Sequence, residues 1–138
     1  MIQTNRLYVK TKGKNDIHDI TEKLQSIVTE SGLKEGSVLC FVSGSTASLT
    51  TVEYEPGLIK DIPEALNLIA PMDKTYHHDD TWHDGNGYAH VRASLMGPSL
   101  TIPFSNGKLL LGTWQQVVLI DFDNRSRERA IIAQLYGE

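Results

Sequence analysis

Two stretches of the chain repeat their apolar residues with a helical period. Between Asp16 and Ser31 the apolar residues Ile17, Ile20, Leu24, Ile27 and Val28 fall on one stripe, the pattern of an amphipathic helix. Asn15 or Asp16 is the expected N-cap, and Gly32 the expected stop. From Leu58 to Ala70 the positions Leu58, Ile59, Ile62, Ala65, Leu66 and Ile69 repeat the spacing. Pro63 is best tolerated in a first turn, so the regular helix is expected to begin near Asp61 and to end at Pro71. The rest reads as strands and turns. Ile2 to Lys10 alternates weakly. Ser37 to Val42 is apolar on both faces, as a central strand is. A Thr/Val-rich strand follows Thr46. Ser99–Pro103 and Lys108–Leu111 flank the hairpin signal Ser105-Asn106-Gly107, and Trp114–Phe122 and Arg127–Tyr136 close the chain. From Tyr88 the residues alternate again. Ala89, Val91, Ala93 and Leu95 face one way and Tyr88, His90, Arg92 and Ser94 the other, so a strand is expected there too. About eight strands and two helices result. This order predicts a single α+β domain over residues 1–138, with a mostly antiparallel, two-layered, sandwich-like sheet.

Composition narrows the function classes. The formal net charge is -4, which argues against a nucleic-acid partner, since such surfaces are basic. The basic residues Arg125, Arg127 and Arg129 form the one concentrated run, broken by Glu128. Cys40 is the single cysteine and lies in the apolar run Val38–Val42, the setting of a small buried hydrophobe rather than a reactive thiol. No stretch is apolar for long enough to span a membrane, and no leader is apparent; a cytoplasmic protein is expected. Neither a GxGxxG nor a P-loop pattern occurs.

Chemistry concentrates between Met72 and Met96. His77, His78, His83 and His90 lie there with Asp79, Asp80 and Asp84. Imidazole and carboxylate are common ligands of divalent metals, and imidazole moves protons near neutral pH. On the expected strand, His90, Arg92 and Ser94 would project in a row about 7 Å apart. Arg92 is the cation suited to grip a phosphate in a bidentate fork. The turn Ser43–Thr46, with its hydroxyls and glycine, can cradle an anion or be a turn and nothing more. Glu53 and Glu55 close the following strand, as functional or merely solvated carboxylates. His18 is expected on an exposed helix face. Trp82 and Tyr76 are as compatible with a subunit interface as with a ligand platform, and Trp114 is expected to pack in the core or in an interface.

Several segments together carry a family resemblance: Thr46-Ala47-Ser48-Leu49-Thr50, Glu53, His78-Asp79, the run His90–Leu100, and Gly112-Thr113-Trp114-Gln115. The chain resembles the YjbQ family of small bacterial and archaeal proteins nearly end to end. The resemblance implies an α+β fold with a sandwich-like core, a homotrimer, and a thiamine-phosphate synthase activity that joins a pyrimidine diphosphate to a thiazole phosphate with release of pyrophosphate. It also implies a polar site made of Glu53, His78, Asp79, His90 and Arg92. Many members carry a histidine where this chain has Gly44, a role that His83 could take over. The expected assignments are Glu53, His90 and Arg92 as catalytic groups, Ser45, Thr46 and Arg92 as phosphate binders, and His78, Asp79, His83 and His90 as ligands of Mg²⁺ or Zn²⁺. The ligand expected is a small phosphorylated metabolite, with no nucleic acid and no membrane involved. The alternatives are a metal- or phosphometabolite-binding module without turnover, and a zinc-dependent hydrolase.

Overall fold

The computed structural model describes residues 1–138. Its elements are β1 (Ile2–Thr11), β2 (Asp16–Asp19), α1 (Thr21–Ser31), β3 (Glu35–Val42), β4 (Ala47–Val52), α2 (Pro56–Ile69), α3 (His77–Trp82), α4 (Gly87–Met96), β5 (Ser99–Ser105), β6 (Lys108–Leu109), β7 (Gln116–Asp121) and β8 (Arg127–Gly137). The strands form a five-stranded sheet, β1-β8-β3-β5-β6, and a three-stranded sheet, β2-β7-β4. Every pairing is antiparallel. The fold is therefore α+β with two antiparallel sheets, as the sequence pattern implies, and it carries four helices rather than two.

Strand β7 explains why there are two cores. Successive strand side chains face opposite ways. Val117 and Leu119 enter a core shared with Val38, Cys40, Ile131 and Leu135 of the five-stranded sheet and with Leu24 and Val28 of α1. Val118, Ile120 and the following Phe122 enter a second core with Leu66 of α2 and Tyr88, Ala89 and Ala93 of α4. The three-stranded sheet is thus a middle layer, and α2 and α4 cover its far side.

Three expected elements differ from the observed ones. The helical stripe that begins at Ile17 is split. Asp16–Asp19 pairs with β7 as a short strand, and the helix starts at Thr21, because the Asp19 carboxylate accepts hydrogen bonds from the Thr21 N–H (3.0 Å) and hydroxyl (2.6 Å). Ile17 and Ile20 consequently enter different cores. Helix α2 begins at Pro56 rather than near Asp61, since the Glu55 side chain accepts from the Gly57 and Leu58 N–H groups as an N-cap, leaving Pro63 inside the helix. The largest difference is Tyr88–Met96, which is helix α4 and not a strand. Its buried residues Tyr88, Ala89, Arg92 and Ala93 follow the helical i, i+1, i+4, i+5 pattern, whereas Val91 and Leu95 are exposed. Over so short a window, alternation and a helical stripe share several positions, and burial here follows the stripe.

A buried charge network joins the two sheets. The Arg129 guanidinium of β8 donates from Nε to Asp121 Oδ2 (2.7 Å) and from Nη2 to Asp121 Oδ1 (2.8 Å) and Thr46 Oγ1 (2.6 Å). Thr46 donates to Asp123 Oδ2 at 2.9 Å, and Arg127 Nε donates to the same oxygen at 3.1 Å. Thr11 of β1 donates to Asp121 as well. Burial by itself would raise the Asp123 carboxyl pKa. Hydrogen bonds from Thr46, Asn86 and the Arg125 N–H, with the Arg127 charge, outweigh it and hold the group below the usual range. Asp121→Ala would strand the Arg129 charge, and a loss of about 3–5 kcal/mol is expected in urea unfolding. A depressed carboxylate stabilises the fold above its unfolded pKa, and that stabilisation disappears as pH falls through the folded value. Acid titration of stability should therefore be shallower in Asp123→Asn than in the parent chain below the ordinary carboxylate range.

Candidate metal and ligand site

Helices α3 and α4 meet through a tight connection. His83 and Gly85 adopt left-handed backbone angles (φ 52° and 67°). Asp84 Oδ1 accepts from the Asn86 N–H at 3.1 Å, and Asp79 Oδ1 accepts from the Gly87 N–H at 3.1 Å. Gly87 is required where α4 begins, because a Cβ there would lie 2.4 Å from that of Tyr76. This packing places His78 Nδ1 at 3.4 Å from Asp84 Oδ1 and 3.6 Å from Asp79 Oδ1. The ligand atoms of His78, Asp79 and Asp84 all lie within 4.8 Å of one another. His78 Nδ1 is buried and makes no hydrogen bond, an arrangement that costs free energy unless something fills it. The His90 ring lies against His78, with centroids 4.2 Å apart and planes 38° from parallel. Burial lowers the His90 pKa, and the neighbouring His78 lowers it further. Asp84, Asp123 and Asp79 pull the other way without reversing the direction. His90 is thus held neutral at neutral pH, the form that accepts a proton or binds a metal.

Comparison with known proteins places the chain in a family. Residues 5–138 match the family described as UPF0047 protein YjbQ-like. The chain belongs to this family. A UPF0047 protein of Archaeoglobus fulgidus is 36% identical over 129 residues, 94% of this chain and 98% of the relative. The UPF0047 protein YugU of Bacillus subtilis is 30% identical over 132 residues, 95% and 97% of the two chains. A crystal structure from Sulfolobus solfataricus, described as a YbjQ-like protein of unknown function, superposes with a TM-score of 0.93 at 33% identity, covering 100% of this chain and 99% of that one.

Within this YjbQ-like fold the sequence-derived site residues part company. His78, Asp79 and His90 come together, and Asp84, which lay in the same stretch but outside the expected ligand set, joins them. His83 is the exposed left-handed residue that ends α3 and is not among the three clustered ligands. Arg92 does not share a face with His90, because α4 is a helix. It is 1% exposed and donates to Ala70 O at 2.9 Å and Asn15 Oδ1 at 2.7 Å, with its charge 5.3 Å from the Tyr88 ring centre. Its burial lowers its pKa, and its guanidinium ties α4 to the chain before it and to the β1–β2 turn. Thr46 is spent on Asp123 and Arg129, while Ser45 stays exposed.

Glu53 lies beyond the opposite end of β4 from Ala47, six residues along an extended strand, or roughly 20 Å. It lines a separate cavity with Asp19, Glu22, Glu55 and Trp114. Trp114 is 74% exposed rather than packed in the core, and Trp82 is 70% exposed. His18 is on β2 rather than a helix and contacts Asp16 at 2.7 Å. Cys40 is fully buried, and burial pushes its thiol up to about 12. Asn86, Asp121, Asp123 and Arg129 were not singled out as site residues. For the last three the signal was Asp121 and Asp123 facing Arg127 and Arg129 across one turn, a charge pattern unsuited to a solvated hairpin of otherwise apolar strands; Asn86 carried no such signal. Arg92→Ala is expected to act on stability, with a loss of about 2–4 kcal/mol from its severed buried hydrogen bonds. An unchanged unfolding midpoint would contradict this placement.

Proposed function

We propose that the His78–Asp79–Asp84 cluster, with His90 stacked on it, binds a divalent metal and serves a small phosphorylated metabolite. The orphaned, buried Nδ1 of His78 facing two carboxylate oxygens is the observation that carries this reading. One imidazole and two carboxylates suit Zn²⁺ or Mg²⁺, and three protein ligands leave positions open for a ligand. The reaction proposed is of the thiamine-phosphate synthase type, in which a thiazole nitrogen bonds to the pyrimidine methylene carbon and pyrophosphate leaves with the electron pair of the broken C–O bond. This reaction rests on the motif resemblance, and the donor set is compatible with it. A metal bound here would supply the positive charge that a departing pyrophosphate needs. His90, neutral and half-buried, would orient the ligand and hold or accept a proton at the edge of the cluster. Arg92 has no part in phosphate binding in this scheme. The three-ligand count also favours a second reading, a zinc-dependent hydrolase.

Subunit association forms part of the proposal. A homotrimer would cover apolar groups left exposed within one chain, among them Trp82, Trp114, Leu68 and Leu95. No helix is long and apolar enough to cross a membrane, so these groups do not belong to a spanning helix.

Purified protein should contain close to one equivalent of metal per chain by elemental analysis. His78→Ala should lower that content at least about tenfold, as the loss of a ligand does, with the fold intact by circular dichroism. Formation of thiamine phosphate from its two precursors should require the metal and fall with His90→Ala. Metal content unaffected by His78→Ala would end the metal assignment. Light scattering on the eluting protein should give three chain masses, and a single-chain mass would remove the trimer.

A further inference from the structure

We infer that the turn Ser43-Gly44-Ser45-Thr46, floored by Arg129, is a phosphate-binding subsite distinct from the histidine cluster. Arg129 has a side chain only 8% exposed. Its Nε and Nη2 are committed to Asp121 and Thr46. The remaining nitrogen, Nη1, has no partner in the chain, and it is not among the sealed unpaired atoms, so ligand or water can reach it. It points at Gly44, where a Cβ would lie 2.8 Å away. Gly44 also has φ 122°, a conformation that other residues adopt only with strain. Glycine therefore does two things here: it shapes the turn and leaves the guanidinium open.

The turn itself offers more donors. The N–H groups of Gly44, Ser45 and Thr46 donate to no group in the chain, whereas the Ser43 N–H is held by Ala130 O at 3.1 Å. The Ser45 hydroxyl is exposed. Beside the turn lies a cavity of about 230 Å³ lined by Gly44, Ser45, Ala47, Ala93, Ser94 and Pro98. That is smaller than the roughly 300–1,000 Å³ of pockets that enclose whole drug-sized ligands, and it suits one end of a molecule. Successive backbone N–H groups with one arginine nitrogen make a nest for an anion, and the number of donors fits the several oxygens of a phosphate better than the two of a carboxylate. Asp121 and Asp123 belong to the same network, with Asp123 Oδ2 2.9 Å from Thr46 Oγ1, and Arg127 and Arg129 offset their charge. Specificity at the turn would then come from directed hydrogen bonds more than from net charge.

The subsite stands whether or not a metal binds at His78. It lies along α4 from the cluster, since Ser94 is one helical turn past His90 and donates to its carbonyl at 2.8 Å. A ligand with its phosphate in the turn could extend its other end toward His90.

The test is a titration of chelator-treated protein with inorganic phosphate at constant ionic strength, followed in ¹⁵N–¹H spectra, with chloride as the reference anion. The Gly44, Ser45 and Thr46 amides should shift saturably with phosphate and not with chloride. Gly44→Ala should weaken the apparent affinity at least about tenfold, the effect of losing charge-assisted hydrogen bonds. Ser45→Ala, at an exposed position, should fold normally and weaken binding by a smaller factor, which keeps the test open if Gly44→Ala does not fold. His78→Ala should leave phosphate binding unchanged. Failure of the metal proposal would show as metal content unaffected by His78→Ala, with these shifts intact. The subsite is refuted if the three amides stay still, if phosphate instead moves residues around Lys34 and Lys108, or if His78→Ala abolishes the shifts.

Discussion

The bidentate pair between Arg129 and Asp121 fixes how the two sheets meet. Each partner is buried on a different sheet, so neither can be solvated if the sheets slide apart, and a buried charge without its partner is costly. Thr11 adds a hydrogen bond to the Asp121 carboxylate, and Thr46 accepts one from Nη2 of the guanidinium. Asp123, one step beyond, passes the constraint outward. Its neighbour Asn124 donates from its N–H to Asn86 Oδ1 (3.0 Å) and from Nδ2 to Asp84 O (2.6 Å). The segment that carries Asp84, and the start of the helix that carries His90, are thereby tied to the sheet junction. The hydrogen bonds that lock the sheets thus extend to the segment that carries the histidine cluster.

This coupling explains why the candidate site can hold an unpaired buried nitrogen. An orphaned imidazole nitrogen would relax by rotation or local opening if its walls were soft. Here Asp79 and Asp84 are each held by a backbone N–H of the α3–α4 connection, and the His90 ring blocks one face of His78. The arrangement is pre-organised in the sense that binding sites need.

Much of the fold could be read from residue order, and the reasons are specific. Strand β3 has apolar residues facing both ways and does lie between β8 and β5. The β5–β6 hairpin follows from Asn106-Gly107, both with positive φ. The His/Asp-rich stretch was visible as composition, and His78, Asp79 and His90 do converge. The helix α4 was not legible because Ala, Val and Leu in alternation satisfy both periods over ten residues. That one reversal moved Arg92 from the ligand face into a structural role, while Glu53 is kept from the histidines by its place beyond the far end of β4. The cation at the serine turn is instead Arg129, more than eighty residues from it in sequence, a pairing that only the strand register brings together.

Strand β7 has a consequence of its own. It is paired on both edges, and its two faces belong to different apolar interiors. No partial opening that spares either interior can release its amides to water. Solvent exchange at Val117–Ile120 should therefore report complete unfolding and nothing milder, making this strand the natural gauge of global stability in the family.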